Sequence, residues 1–178
     1  MLRPHNFPDG TPGSGASLFT LASGLRVVVV NVMLRLFMDP LDDPFACVER
    51  FVQGHKLCKT ADAILVDAHG EASSEKQALG HMLDGRVTVV IGSHTHVPTA
   101  DTRILPKGTG FQTDAGMCGD YDSVIGMNKT NSLNRFLKKD STKHFPAEGN
   151  ATLCGIIVEC DTSNGLAKKA EPFIFKES

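Results

Sequence analysis

Apolar positions fall into short blocks separated by glycine, proline and polar clusters, and their spacing sets the expected elements. In "SLFTLASGLRVVVVNVM" a short strand, a turn at Ser23-Gly24 and a strongly apolar strand from Leu25 to Val32 predict a hairpin. In "MDPLDDPFACVERFVQGHKL" Asp43 can cap a helix and Pro44 suits its first position. Phe45, Val48, Phe51 and Val52 then lie on one face. "ADAILVDAHGEA" reads as a strand buried on both faces until Asp67. "SSEKQALGHMLDG" reads as a packing helix, capped by Ser73 or Ser74 and stopped by Gly85, with Glu75 and Lys76 in solvent. "RVTVVIGSHTH" is the next strand. Strand, helix and strand in that order predict a βαβ unit with parallel neighbours. "TRILPKGTGFQTDAG" predicts a hairpin around Lys107-Gly108, and "NSLNRFLKK" a short helix. "ATLCGIIVECDTSNGLAKKAEPFIF" predicts a terminal hairpin turning at Ser163-Asn164-Gly165. Residues 1–16, rich in Pro and Gly, read as an irregular loop. The sum is a mixed α/β (α+β) domain built on a substantial sheet.

The 178 residues suffice for one domain with a real core. A net charge of -2 with no basic run argues against an extended nucleic-acid surface. One Tyr and no Trp argue against a stacking platform for single strands. The apolar runs are too short to span a membrane, and the N-terminus lacks a signal-peptide pattern, so a cytoplasmic location is expected. Cys47, Cys58, Cys118, Cys154 and Cys160 form no CxxC pair and read as reduced, small buried hydrophobes. Assembly into a homo-oligomer is left open.

The segment "VVIGSHTHVPTAD" carries the candidate chemistry. An apolar strand stops at a glycine, and His94 and His96 follow. In an extended segment residues two apart point to one side, their Cα atoms roughly 6.5–7 Å apart. Two such imidazoles can share one metal ion or serve two. His69 occupies the matching place on the preceding strand, at its carboxyl end, where ligands of open α/β sheets gather. His69, His94 and His96 are therefore the expected metal ligands, since imidazole suits transition metals. Asp67 is the nearest candidate for a bridging carboxylate, with Glu71, Asp101 and Asp114 behind it. Each is more simply read as orienting a histidine, capping a helix or facing solvent. His5, His55, His81 and His144 read as solvated or capping groups.

At these residues a resemblance enters. "VDAHGEASSEKQALGHMLDGRV", "IGSHTHVPTADTRILPKGTGFQTDAGMCGDYDSVIGM" and "RPHNFPDGTPG" resemble the YmdB-like branch of the calcineurin-like metallophosphoesterases. "MDPLDDPF" and "EGNATLCGIIVECDTSNGLAKKAEP" resemble the bacterial forms of that branch, so the resemblance covers essentially the whole chain. It implies a β-sandwich flanked by helices and a dinuclear centre of two divalent transition-metal ions (Fe, Mn or Zn). The implied substrate is a small phosphodiester such as a 2′,3′-cyclic nucleotide. His69 and His94 would bind the second metal and His96 the first, with Asp67 and Glu71 as auxiliary residues. "DAGMCGDYDSVIGM" matches the family without a firm role: it reads equally as a loop near substrate, with Asp120, Tyr121, Asp122 and Ser123 as polar contacts, or as a turn-rich connection.

The family's opening motifs do not occur here: a strand ending in an Asp-containing metal motif, a Glu-Asn with the bridging carboxylate, and an Asn-His with the proposed general acid. Asp67-Ala68-His69 has the outward form of the first of these. Only a helix and a strand separate it from His94, which places His69 in the later histidine motif. Residues 1–178 are thus expected to form a single partial domain, an incomplete metallophosphoesterase β-sandwich. Such a domain would expose apolar sheet edges and turn over weakly or not at all. Two alternatives stand beside it. One is a degenerate non-catalytic metal-binding or regulatory domain with one ion per chain. The other, weaker, is an amidohydrolase, which would need further His and Asp ligands after His96, where His144 is the one later histidine.

Overall fold

The computed structural model describes residues 1–138 and 143–176. Its elements in chain order are β1 (Ala16–Thr20), β2 (Arg26–Met33), α1 (Pro44–Gly54), β3 (Ala63–His69), α2 (Ser73–Leu83) and β4 (Val89–Ser93). There follow β5 (Arg103–Ile104), β6 (Gly110–Gln112), β7 (Gly119–Asp120), α3 (Lys129–Lys138), β8 (Ala151–Cys160) and β9 (Ala167–Lys176). Lys139, the last residue of the expected short helix, lies outside the described residues.

The larger sheet has the order β1-β2-β3-β4-β6-β5. β2, β3, β4 and β6 run parallel, and β1 and β5 add antiparallel edges. Helix α2 is the crossover between β3 and β4, as the strand–helix–strand pattern requires. The smaller sheet, β7-β8-β9, is antiparallel. Residues of β2, β3 and β4 line one cleft with Ile156, Val158 and Cys160 of β8, so the two sheets face each other. This is the mixed α/β architecture with a substantial sheet that the residue pattern predicts, and the facing sheets accord with the sandwich that the resemblance implies.

One face of the large sheet is sealed. Val28, Val30, Val32, Ile64, Val66, Ala68 and Val90 are fully buried against Val48 of α1 and Leu79 and Leu83 of α2. The other face, Val27, Val29, Leu65 and Ile91, is only half-buried. β3 is therefore buried on one side rather than on both. Leu18 and Phe19 on the edge strand β1 are about half exposed.

Local chemistry explains most boundaries. The Asp43 carboxylate accepts the Phe45 and Ala46 N–H groups, and Pro44 occupies the first turn of α1. The α2 start departs from expectation. Ala72 is its N-cap, with no side-chain cap from Ser73 or Ser74, because both serines already lie inside the helix. The Asn164-Gly165 turn joins β8 to β9, with Gly165 at φ 74°. Cys47 and Cys154 are buried, but Cys58, Cys118 and Cys160 are exposed, which corrects the uniform buried reading; all five are free thiols. No helix among the described residues is long and apolar enough to cross a membrane.

Candidate metal centre

His69 is the last residue of β3 and pairs in register with Ser93, the last residue of β4. His94 therefore emerges one residue beyond, at the same carboxyl edge of the sheet. The two rings meet nearly perpendicular, and His94 Nδ1 lies 3.3 Å from His69 Nε2.

The hydrogen bonds around the pair fix their tautomers. Ser93 Oγ donates its single proton to Asp67 Oδ1 at 2.7 Å, so it accepts from His69 Nδ1–H at 3.1 Å. Asn31 Nδ2 donates to the other Asp67 oxygen at 2.7 Å. His69 Nε2 is left with a lone pair. On His94 the Nε2–H faces Glu71 Oε2 at 3.1 Å, which leaves the lone pair on Nδ1. Two ring lone pairs thus meet at 3.3 Å. Something positive belongs between them: a proton, which makes one ring an imidazolium, or a metal cation. Burial first, and then the neighbouring His94 ring, hold His69 below the usual imidazole pKa, which favours the neutral ligand form. The separation suits two nitrogens each about 2.0–2.1 Å from a tetrahedral ion.

His96 sits differently. β4 ends at Ser93, and His94 and His96 have φ of 124° and 66°, so the segment is not the extended strand the i, i+2 argument assumed. His96 Nδ1–H donates to the Ile125 carbonyl at 2.7 Å, which puts the ring's lone pair on Nε2. Among the described residues no three His, Cys, Asp or Glu side chains converge as a metal-holding group. The three imidazoles expected to share one focus are a joined pair, His69 and His94, plus a third ring anchored to a different loop. The pair fits a cation; a closed three-histidine cage is not formed.

Asp67 and Glu71 hold the histidines rather than face a common focus. Asp67 acts on His69 through Ser93, and Glu71 binds the far nitrogen of His94. Asp114 is also spent inward: it accepts from Lys76 Nζ (3.0 Å), Thr95 N–H (2.9 Å) and Gly116 N–H (2.9 Å). Burial pushes its pKa up, but these bonds outweigh that and hold it below the usual carboxylate range. Lys76, expected in solvent, is fully buried, and Glu75 nearly so. The Glu75 carboxylate accepts the Arg35 and Leu36 N–H groups. The Lys76–Asp114 pair pins Thr95, the residue between the two histidines, and Lys76 reaches it because Gly92 has no Cβ: one there would lie 2.7 Å from Lys76 Cδ and 1.7 Å from the Thr113 oxygen. This support was invisible to periodicity; a Lys on the inward side of a helix facing a Gly-ended strand was its only trace.

Asp101 binds Thr99, Thr113 and Arg103. His55 follows the last turn of α1 and bonds Phe51 O at 2.9 Å; His5 is half-buried, edge-on to Phe51; His81 and His144 are exposed. Ser123 bonds within its own loop, as does Asp122, whose carboxylate also takes Lys129; the Asp120 carboxylate accepts the Asp122 N–H and, from the segment before β8, the Gly149 N–H.

The YmdB-like protein family model matches residues 1–173. A 2′,3′-cyclic-nucleotide 2′-phosphodiesterase of Bacillus subtilis is 42% identical over 99% of this chain and 66% of its own length. A putative phosphatase/phosphodiesterase of Mycoplasma genitalium is 39% identical over 88% of this chain and 55% of its own. A crystal structure of a hypothetical protein from Thermus thermophilus superposes with a TM-score of 0.90 at 43% identity, covering 99% of this chain and 68% of that one. A novel phosphatase from Mycoplasma pneumoniae superposes with a TM-score of 0.85 at 31% identity, covering 98% and 63%. The chain thus spans slightly under two thirds of the Bacillus relative and just over half of the Mycoplasma genitalium one.

Proposed function

Since the chain belongs to the YmdB-like family, we propose that it carries the histidine side of a metal-dependent phosphodiesterase centre, with a small cyclic diester such as a 2′,3′-cyclic nucleotide as substrate. The observation that carries this reading is the approach of His69 Nε2 and His94 Nδ1 to 3.3 Å at the carboxyl edge of the sheet. A cation satisfies both, and the Asp67–Ser93 relay and Glu71 keep each ring in its ligating tautomer. His96, oriented by the Ile125 carbonyl, offers Nε2 toward a second ion. Divalent ions held here would supply Lewis acidity to the phosphoryl group. The chain's own part is to hold that charge at the sheet edge and to fix the ring nitrogens. Two dications bring more charge than three neutral imidazoles offset, so carboxylate donors beyond these three side chains belong to the proposal. His69, His94 and His96 act as ligands in this proposal, and none of them serves as the proton donor for the leaving alkoxide.

The open donor set favours one second reading, a metal-binding domain with one ion per chain and no turnover. Metal analysis after dialysis against zinc or manganese separates the two: two ions per chain with diester hydrolysis support the phosphodiesterase, one ion without turnover the alternative. For the first, hydrolysis of adenosine 2′,3′-cyclic monophosphate should vanish with chelator and in His69→Ala and His94→Ala. Undiminished turnover in those variants would sink it.

A further inference from the structure

We propose that the pocket beside His96 is the subsite for the nucleobase of the diester; the inference rests on the cyclic-nucleotide reading above. The pocket holds about 370 Å³ and is walled by Val97, Met117, Tyr121, Val124 and Ile125 next to the His96 ring. That volume lies in the ~300–1,000 Å³ range of small-molecule sites, whose walls are mostly apolar. In the reading above His96 serves the second ion, and His96 also lines this pocket, so the organic part of a diester held there would extend toward it.

Three features suit the walls to a flat heterocycle. Val97 and Ile125 are each about half exposed (53%), leaving apolar surface at the mouth for a ligand to cover. The Tyr121 hydroxyl is already engaged: Met117 N–H donates to the Tyr121 oxygen (3.1 Å), and Tyr121 O–H donates to Met117 O (3.2 Å). Burial first pushes the phenol up to about 12, so it stays neutral. Gly116 permits this docking, since a Cβ there would lie 2.8 Å from the Tyr121 oxygen.

The third feature is strain. Ile125 has φ 49°, a region that β-branched residues avoid. The turn holding it closes with Val124 and Met127 exchanging both backbone bonds at 2.9 Å. That conformation aims the Ile125 carbonyl at His96 Nδ1 while its side chain stands at the pocket mouth. One residue thus orients a ligating ring and walls the neighbouring subsite, the kind of place where strain persists.

The hydroxyls of the wall are spent. Ser123 Oγ donates to Asp120 O and accepts Gly126 N–H at 2.8 Å. Recognition therefore goes by ring area rather than by hydrogen-bond pattern, and a purine binds more tightly than a pyrimidine.

Tyr121 is the chain's one tyrosine, so ring-labelled tyrosine gives a single NMR reporter in the pocket, alongside the His96 ring signals. The full chain, with and without zinc, would be titrated with adenosine 2′,3′-cyclic monophosphate, uridine 2′,3′-cyclic monophosphate and ribose 2′,3′-cyclic phosphate. Adenosine cyclic phosphate is expected to shift the Tyr121 signals saturably, at about tenfold lower concentration than the ribose compound needs to move His96, with uridine between them. Val124→Asp, or Ile125→Asp at the solvent-facing mouth if the first fails to fold, is expected to abolish that advantage. The inference is overturned if the nucleotide moves His96 and leaves Tyr121 untouched, or if the aspartate variants keep the tenfold preference. If no compound moves either ring, the cyclic-nucleotide reading itself fails and takes the subsite with it.

Discussion

Lys76 Nζ lies 3.0 Å from Asp114 Oδ2, with the two side chains 0% and 1% exposed. Asp114 also holds the Thr95 N–H between His94 and His96, so the pair ties helix α2 to the histidine loop. Replacing Lys76 with Met keeps volume and leaves a carboxylate buried without its cation. Breaking such a pair from one side costs about 3–5 kcal/mol. Lys76→Met is expected to lower the melting temperature by roughly 10 °C, at about 2–4 °C per kcal/mol for a chain of this size. Lys76→Met with Asp114→Asn should recover part of that loss. Additive losses in the double variant would show that the two groups do not act as a pair.

Ser93 stands between Asp67 and His69, donating to the first and accepting from the second. Ser93→Ala removes the group that keeps the proton on His69 Nδ1 and leaves Nε2 free. Zinc affinity measured by calorimetry is expected to fall roughly 10–100-fold, with melting in the absence of metal changed far less. An unchanged affinity would mean that this hydroxyl does not set the His69 tautomer.

Much of the scaffold was legible because it follows period and turn chemistry. The valine run of β2, the β3–α2–β4 crossover, the Asp43-Pro44 helix start and the Asn164-Gly165 turn all stand where local signals put them. The meeting of His69 and His94 was also legible, because parallel pairing places His69 against Ser93. What failed was the assumption of extended geometry past Ser93. The positive φ of His94 and His96 turns the chain, and no period carries that information. Lys76 and Glu75 were misread for a related reason. A charged residue on an amphipathic helix is normally solvated, and only the tertiary partners, Asp114 for one and the Arg35 and Leu36 backbone for the other, make their burial tolerable.

Asp101 carries a pH signature. Burial pushes its pKa up, but Thr113, Thr99 and Arg103 outweigh that and lower it to about 2. A carboxyl depressed from its ordinary 3.8 contributes stability in full above that value. The contribution is lost as pH falls from about 4 toward 2, because the unfolded chain takes up the proton first. With Asp101 partly exposed, the effect is on the order of 1–2 kcal/mol after allowing for solvent screening. Asp101→Asn should therefore melt several degrees below the parent near pH 7, and the gap should narrow steadily below about pH 4. A gap that widens as pH falls would contradict the assignment.

Ile125 sets stability against binding. Its φ of 49° costs a β-branched residue about 1–2 kcal/mol, whereas asparagine tolerates that region. The side chain is half exposed, so little burial is lost on replacing it. The bond that orients His96 comes from the Ile125 backbone carbonyl, which substitution leaves in place. Ile125→Asn is therefore expected to raise the stability of the metal-free chain by up to about 1 kcal/mol. The same change removes an apolar wall of the proposed base pocket, so affinity for adenosine 2′,3′-cyclic monophosphate should drop several-fold while zinc affinity holds. Chemical denaturation and nucleotide titration on the same preparation read both effects. Should the asparagine variant be less stable than the parent, the isoleucine is not strained, and the turn is held by packing of its side chain instead.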